Sequence, residues 1–101
     1  MLIQVLCVPE CRNCEPAIER VRQVLGSEGV DARVEKILVA EEAAARCLHF
    51  PGSPTVRVDG VDVESSGQAA FGLVCRLYAD GCGLPSEEAL RRAIAAARKQ
   101  L

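Results

Sequence analysis

Residues 2–29 decide the fold and read LIQVLCVPECRNCEPAIERVRQVLGSEG. The first seven of them, residues 2–8, are nearly all apolar, which is typical of a strand buried on both faces of a sheet. Two cysteines, Cys11 and Cys14, follow that run after two further residues. The stretch therefore predicts a buried strand, a short loop that carries both cysteines, and then a helix.

The helix is indicated by apolar side chains at a spacing of three and four residues. These are Ala17, Ile18, Val21, Val24 and Leu25. Pro16 is tolerated only in the first turn of a helix, so the helix begins near Asn13 or Cys14. Gly26 or Gly29 is expected to end it, because glycine readily adopts the left-handed conformation found at helix C-termini.

The rest of the chain continues this alternation. A strand is predicted over residues 30–39, a short helix over 41–48, a strand over 55–58, a returning strand over 61–63, and a final helix capped by Ser86. Asp59-Gly60 is typical of a two-residue hairpin, and residues 73–78 are a possible further short strand. The order β-α-β-α-β-β-α predicts one α/β domain over residues 1–101, with a central mixed sheet and helices on both faces.

Charge and composition exclude several function classes. The formal net charge is −2, and the chain has one Tyr, two Phe and no Trp, which disfavours nucleic-acid binding. No apolar run has the length of a membrane span, and no export-type segment is visible at the N-terminus, so we expect a cytoplasmic protein. The high Ala and Arg content suggests a GC-rich bacterial genome.

The six cysteines are the residues that bear most directly on function. In the cytosol, cysteines are more often catalytic, metal-binding or simply buried than joined in structural disulfides. The first turn of a helix favours a thiolate over a thiol, since its N–H groups are free and its dipole is positive. Cys11 and Cys14 stand at such a helix start, with Arg12 favouring a thiolate while Glu10 and Glu15 oppose it. In a redox role, Cys11 is predicted to attack a disulfide and Cys14 to resolve the product, while a buried or metal-binding pair with the same spacing stays open at this point.

The segment Ser53-Pro54-Thr55 directly precedes the third predicted strand. Together with the C-x-x-C motif and the element order, it resembles the thioredoxin superfamily. The resemblance implies that the Ser53–Pro54 bond is cis and that Pro54 faces the cysteine pair. It also implies that Ser53, Pro54 and Thr55 shape the substrate groove, and that the backbone of Ser53 pairs with an extended substrate segment.

A narrower resemblance covers residues 50–62 and 72–78. These segments look like a group of small bacterial thioredoxin-fold proteins, some of them labelled mercury-resistance or alkylmercury-lyase-like. The chain departs from that group at Glu10 and Arg12, and at Cys14, where the group often has Trp. The departure at Cys14 favours ordinary dithiol chemistry.

The remaining cysteines and the one histidine are weaker candidates. Cys7 in the first strand and Cys47 on the short helix are expected to pack inward as small apolar side chains. Cys75 is a possible accessory thiol for Cys11, and Cys82 lies in a glycine-flanked loop with no assigned role. His49 is expected to be solvated.

Two functions stay open at this point. The first is a thiol–disulfide oxidoreductase with no cofactor, acting on a protein or small-molecule disulfide or thiol and recycled by a separate reductant. The second is a soft-metal carrier or sensor that binds Hg, Cu or Zn through Cys11, Cys14 and Cys75, since the C-x-x-C loop also resembles the heavy-metal-associated domain. The Ser53-Pro54-Thr55 segment has no role in that domain, which favours the thioredoxin-like fold. A scaffold with idle thiols is the third possibility.

Overall fold

The protein forms an α/β fold in the computed structural model, which describes residues 1–64, 72–74, 76–78, 81 and 83–99. In chain order the elements are β1 (Leu2–Cys7), α1 (Cys14–Glu28), β2 (Arg33–Leu38), α2 (Glu42–Cys47), β3 (Thr55–Val58), β4 (Val61–Asp62) and α3 (Glu87–Arg98). This is the predicted order β-α-β-α-β-β-α. The class and architecture expected from the sequence are therefore confirmed.

The strands form one mixed sheet in the order β2-β1-β3-β4. Strand β1 is parallel to β2 and antiparallel to β3, and Leu6 near the end of β1 is the partner of Thr55 at the start of β3. The loop that leaves β1 and the loop that enters β3 therefore lie at the same end of the sheet. The two cysteines of the motif and Pro54 belong to these two loops.

Helices cover both faces of the sheet, as predicted. Alternate residues of a strand point to opposite faces. Ile3, Val5 and Cys7 of β1 pack in the core cluster that contains the apolar residues of α1 and α3. Leu6 packs in a second cluster with Phe50 and Ala45 of α2. Helices α1 and α3 therefore lie on one face and α2 on the other.

The C-terminus of α1 explains why β2 is shorter than predicted. Gly29 adopts φ 64°, and its N–H donates to the carbonyl of Gly26, while the N–H of Val30 donates to the carbonyl of Leu25. These two hydrogen bonds satisfy carbonyls of the last turn and end the helix, which the left-handed conformation of the glycine makes possible. Val30 therefore belongs to the helix cap, and β2 begins at Arg33 rather than at residue 30.

The outward position of Cys47 corrects the expectation that this side chain packs inward. Helix α2 buries Ala45, and Cys47 is an exposed free thiol. Two residues correspond to about 200° of rotation around a helix, so the two side chains lie on opposite sides. The exposed loop residue His49 agrees with expectation.

Two local signals are confirmed. Asp59 and Gly60 both have positive φ, at 48° and 85°, as a two-residue hairpin requires. The Ser86 side chain accepts a hydrogen bond from the N–H of Ala89 at 3.1 Å and caps α3.

Cys75 and Cys82 lie outside the described residues. The described residues among 73–78 are not in a strand, although two of them, Val74 and Arg76, bind the backbone of Ser53. Among the described residues, no helix has the length and apolar character needed to cross a membrane.

Candidate functional site

The cysteine loop, residues 8–14, connects β1 to α1 through two tight turns. The N–H of Cys11 donates to the carbonyl of Val8 at 3.3 Å, and the N–H of Cys14 donates to the carbonyl of Cys11 at 3.4 Å. Cys14 is the first residue of α1, as the position of Pro16 predicts. Cys11 consequently stands one turn ahead of the helix N-terminus.

Cys14 is bonded to Cys7 in a disulfide whose Cα atoms are 6.0 Å apart. Cys7 is the last residue of β1, and Cys11 is a free thiol. Cys7 packs inward as expected, but as the disulfide partner of Cys14 and not as a free apolar side chain, and the pair predicted from the C-x-x-C motif, Cys11 with Cys14, is not the bonded pair. The physical reason is that β1 runs directly beneath the start of α1, so the side chains of Cys7 and Cys14 enter the same core cluster.

The three cysteines differ in their access to solvent. Cys7 is 0% exposed and Cys14 is 3% exposed, whereas Cys11 is partly exposed. A disulfide in solution can therefore meet Cys11, while Cys7 and Cys14 lie behind it.

The proline loop, residues 52–55, lies beside the cysteine loop. The Ser53–Pro54 peptide bond is cis, which is the geometry implied by the resemblance to thioredoxins. The hydroxyl of Ser53 accepts a hydrogen bond from the N–H of Val8 at 3.0 Å. Since the carbonyl of Val8 accepts from Cys11, Ser53 connects the proline loop to the turn that holds the free thiol.

Replacing Ser53 by alanine tests this connection. The change leaves the N–H of Val8 without its partner in a partly buried position, so Ser53→Ala is expected to lower the free energy of unfolding by about 1–2 kcal/mol. A urea titration followed by circular dichroism measures the loss. Ser27→Ala is the matched control, because Ser27 is exposed and its hydroxyl donates to the carbonyl of Val24 within its own helix, α1. It is expected to change stability by less than about 0.5 kcal/mol. Equal effects of the two substitutions would contradict the role given to Ser53.

The polar groups of the proline loop are buried and satisfied within the chain. Ser53 is 1% exposed and Thr55 is 0% exposed. The hydroxyl of Thr55 donates to the carbonyl of Gly52 at 2.6 Å and accepts from the guanidinium of Arg76 at 3.2 Å. The N–H of Ser53 donates to the carbonyl of Val74 at 2.8 Å, and its carbonyl accepts from the N–H of Arg76 at 3.0 Å.

One acidic charge beside the cysteines has a basic partner. Glu15 follows Cys14, and its carboxylate accepts a hydrogen bond from the ammonium group of Lys36 on β2 at 2.9 Å. This hydrogen bond, followed by the charge of Lys36, lowers the pKa of Glu15 below its ordinary value. The opposition of Glu15 to a thiolate at the helix start is thus partly offset by Lys36.

Glu10, directly before Cys11, adopts the left-handed conformation with φ 61°. In this conformation a residue with a Cβ is less stable than glycine by about 1–2 kcal/mol. Glycine keeps only part of this advantage, because its greater conformational freedom stabilises the unfolded chain. Glu10→Gly is therefore expected to raise the free energy of unfolding by about 0.5–1 kcal/mol in a urea titration. Glu10→Ala is the control, because it removes the same charge but keeps the Cβ. If alanine stabilises as much as glycine, the charge and not the backbone is responsible.

No accessory metal ligand is visible at the cysteines in the described part of the chain. Among described residues, no three His, Cys, Asp or Glu side chains are grouped so that they could hold a metal ion. The predicted accessory thiol Cys75 lies outside the described residues, so its proposed role stays a prediction.

Sequence reasoning overlooked two features of the site. The first is the bond from Cys7 to Cys14, for which the only signal is that Cys7 ends β1. The second is the set of contacts that Arg76 and Tyr78 make with the proline loop. Both residues belong to the segment 72–78, which the sequence singled out as a possible strand, as part of the narrower resemblance and for Cys75, but not for contacts with the proline loop.

Comparison with known proteins agrees with this fold. The family described as "Thioredoxin domain" matches residues 1–70, which include both loops. The chain belongs to this family. No curated protein and no solved structure matches the chain. The narrower resemblance to the mercury-resistance group gains no support from these comparisons.

Proposed function

We propose that the protein is a thiol–disulfide oxidoreductase in which Cys11 attacks the substrate, Cys14 resolves it, and Cys7 accepts the disulfide afterwards. The observation that carries this proposal is the disulfide between Cys7 and Cys14, which leaves Cys11 as a free and partly exposed thiol beside it. The membership in the thioredoxin family supports the same chemistry.

The reaction conserves atoms and electrons. The thiolate of Cys11 attacks a disulfide R–S–S–R, forming a Cys11–S–S–R bond and releasing one R–S⁻. The thiolate of Cys14 then attacks the sulfur of Cys11 and releases the second R–S⁻. Finally the thiolate of Cys7 attacks the sulfur of Cys14, which forms the Cys7–Cys14 disulfide and returns Cys11 as a thiolate. Cys7 and Cys14 together supply the two electrons that reduce the substrate, and their two thiol protons balance the two R–S⁻ groups.

Burial determines which of the three cysteines meets an external reactant. An external disulfide meets Cys11 first because Cys7 and Cys14 are 0% and 3% exposed. For the same reason, an external thiol that regenerates the protein reaches the buried disulfide through Cys11. A reduced low-molecular-weight thiol or a partner reductase supplies the two electrons, and the cytoplasm, where such reductants are abundant, is the location we propose.

A redox titration of the metal-free protein tests the proposal. Free thiols are blocked at each potential, and the disulfides are mapped by mass spectrometry. Cleavage after Glu10 separates Cys7 from Cys11, and cleavage after Arg12 separates Cys11 from Cys14, so the two possible partners of Cys14 give different fragments. The expected result is a disulfide that forms reversibly at roughly −120 to −270 mV and joins Cys7 to Cys14 at equilibrium.

Other outcomes would overturn the proposal. A protein whose three thiols stay reduced over this range, and which carries a stoichiometric soft metal as purified, is the metal carrier or sensor instead. A titration that yields only a Cys11–Cys14 disulfide keeps the oxidoreductase but removes the role of Cys7.

A further inference from the structure

The backbone of Ser53 is paired with a segment of the same chain. We call the described residues 72–74 and 76–78 the strap. The carbonyl of Val74 and the N–H of Arg76 bind the N–H and the carbonyl of Ser53, respectively. The resemblance to thioredoxins implies that an extended substrate segment pairs with these two groups of Ser53 by strand addition. That position is therefore already occupied within the chain.

Side chains fasten the strap to the proline loop and to β4. The guanidinium of Arg76, 2% exposed, donates two hydrogen bonds to the carboxylate of Asp62 at 2.7 and 3.1 Å and one to the hydroxyl of Thr55. A two-pronged arginine–carboxylate contact is among the stronger polar contacts in proteins. The hydroxyl of Tyr78 donates to the carbonyl of Pro54 at 2.5 Å, and the guanidinium of Arg76 lies over the Tyr78 ring, 4.3 Å from its centre.

Two further features favour a closed strap. Burial raises the pKa of Tyr78 above its ordinary value, so its hydroxyl keeps the proton that it donates to Pro54. Gly52 has φ 142°, and a Cβ built on it would lie 3.0 Å from the Cβ of Arg76 and 3.2 Å from the carbonyl oxygen of Val74. The close approach of the strap thus depends on glycine at this position. The strap also lies beyond residue 70, where the family match ends.

We propose that the strap limits the substrate of Cys11 to low-molecular-weight disulfides and excludes disulfides carried by extended polypeptides. This inference rests on the proposed function. Thiolate attack at Cys11 requires only that a disulfide sulfur approach it in line, which a small molecule does without a partner on Ser53. A polypeptide that binds by strand addition must first displace both backbone bonds of Ser53 and the contacts of Arg76 and Tyr78. Arg76, Tyr78 and Asp62 act as specificity-determining residues in this proposal.

The test compares two probes that carry 2-mercaptoethanol in a disulfide. One is bis(2-hydroxyethyl) disulfide, and the other is a linear peptide whose single cysteine is disulfide-bonded to 2-mercaptoethanol. Because Cys11 can attack either sulfur of the peptide probe, only attack on the peptide sulfur, which forms a Cys11–peptide disulfide and releases 2-mercaptoethanol, counts toward the peptide constant. The second-order rate constants for reaction with the reduced, metal-free full chain are measured by rapid quenching, and mass spectrometry identifies the disulfide formed at Cys11. We expect the small probe to react at least about tenfold faster than the peptide, because the peptide competes with several hydrogen bonds of the strap.

Variants of the strap separate specificity from stability. Tyr78→Phe removes only the hydrogen bond to Pro54 and is expected to raise the ratio of the peptide constant to the small-probe constant by about three- to tenfold. Asp62→Asn weakens the contact to Arg76 and is expected to shift the ratio in the same direction. Arg92→Met is the control, because it breaks an exposed ion pair with Glu88 on α3 and is expected to leave the ratio unchanged.

The outcomes are distinguishable. If the wild-type chain reduces the peptide as fast as the small probe, or if the strap variants leave the ratio unchanged, the strap inference is wrong and the proposed function stands. If neither probe is reduced, the proposed function fails, and this inference fails with it. A variant that is merely destabilised lowers both constants together, which contradicts a specificity role.

Discussion

Replacing Cys11 by serine is expected to abolish the reduction of bis(2-hydroxyethyl) disulfide, lowering the rate constant by at least about a thousandfold. Three cysteines lie at the site, and Cys11 is the one of them that is partly exposed. Cys7 and Cys14 are only 0% and 3% exposed. A serine hydroxyl at the same position stays protonated at neutral pH and does not attack a disulfide. Stopped-flow measurement on the reduced variant gives the rate constant directly.

The chain supplies a matched control for this change. Cys47 is also a free thiol, and it is the more exposed of the two. It lies on α2, which covers the face of the sheet opposite to α1. Cys47→Ser is therefore expected to leave the rate constant within about twofold of wild type. A chain that loses activity with Cys47→Ser and keeps it with Cys11→Ser would place the nucleophile on α2 and contradict the assignment.

Local sequence signals predicted the elements that position the site. Pro16 and Gly29 bracket α1, Asp59 and Gly60 form the predicted hairpin, and Ser86 caps α3. Each signal acts over a few residues, because a cap or a turn is satisfied by neighbours in the chain. The order of these elements, together with the C-x-x-C motif and the segment Ser53-Pro54-Thr55, was sufficient to predict the fold and the two loops.

The bonds that complete the site join residues distant in sequence. Ser53 pairs with Val74 and Arg76 across about twenty residues, and the strap has irregular backbone, so no periodic pattern indicates it. The C-x-x-C spacing suggests a partner for Cys14 within its own motif. Cys7 can bond to Cys14 because β1 lies beneath α1, and this packing is a tertiary contact that the spacing of the cysteines does not reveal.

Replacing Cys7 by alanine is expected to lower the free energy of unfolding of the oxidised protein by about 2.5 kcal/mol. The disulfide closes a loop with a sequence separation of 7, and the restriction that this places on the unfolded chain is lost in the variant. A urea titration under oxidising conditions measures the difference from wild type. Cys47→Ser, which removes an exposed free thiol, is expected to change the value by less than about 0.5 kcal/mol.

A second titration in excess dithiothreitol separates the bond from the packing of the side chain. Cys7 is fully buried, so alanine also loses the contacts of its sulfur in either condition. If the difference between wild type and Cys7→Ala is the same with and without reductant, packing explains it and the disulfide contributes nothing. If the difference shrinks with reductant, the bond itself stabilises the fold. Cys11 is alkylated in both proteins before these titrations, because Cys14 has no partner on β1 in Cys7→Ala and a Cys11–Cys14 disulfide would otherwise accumulate and restore part of the loop closure.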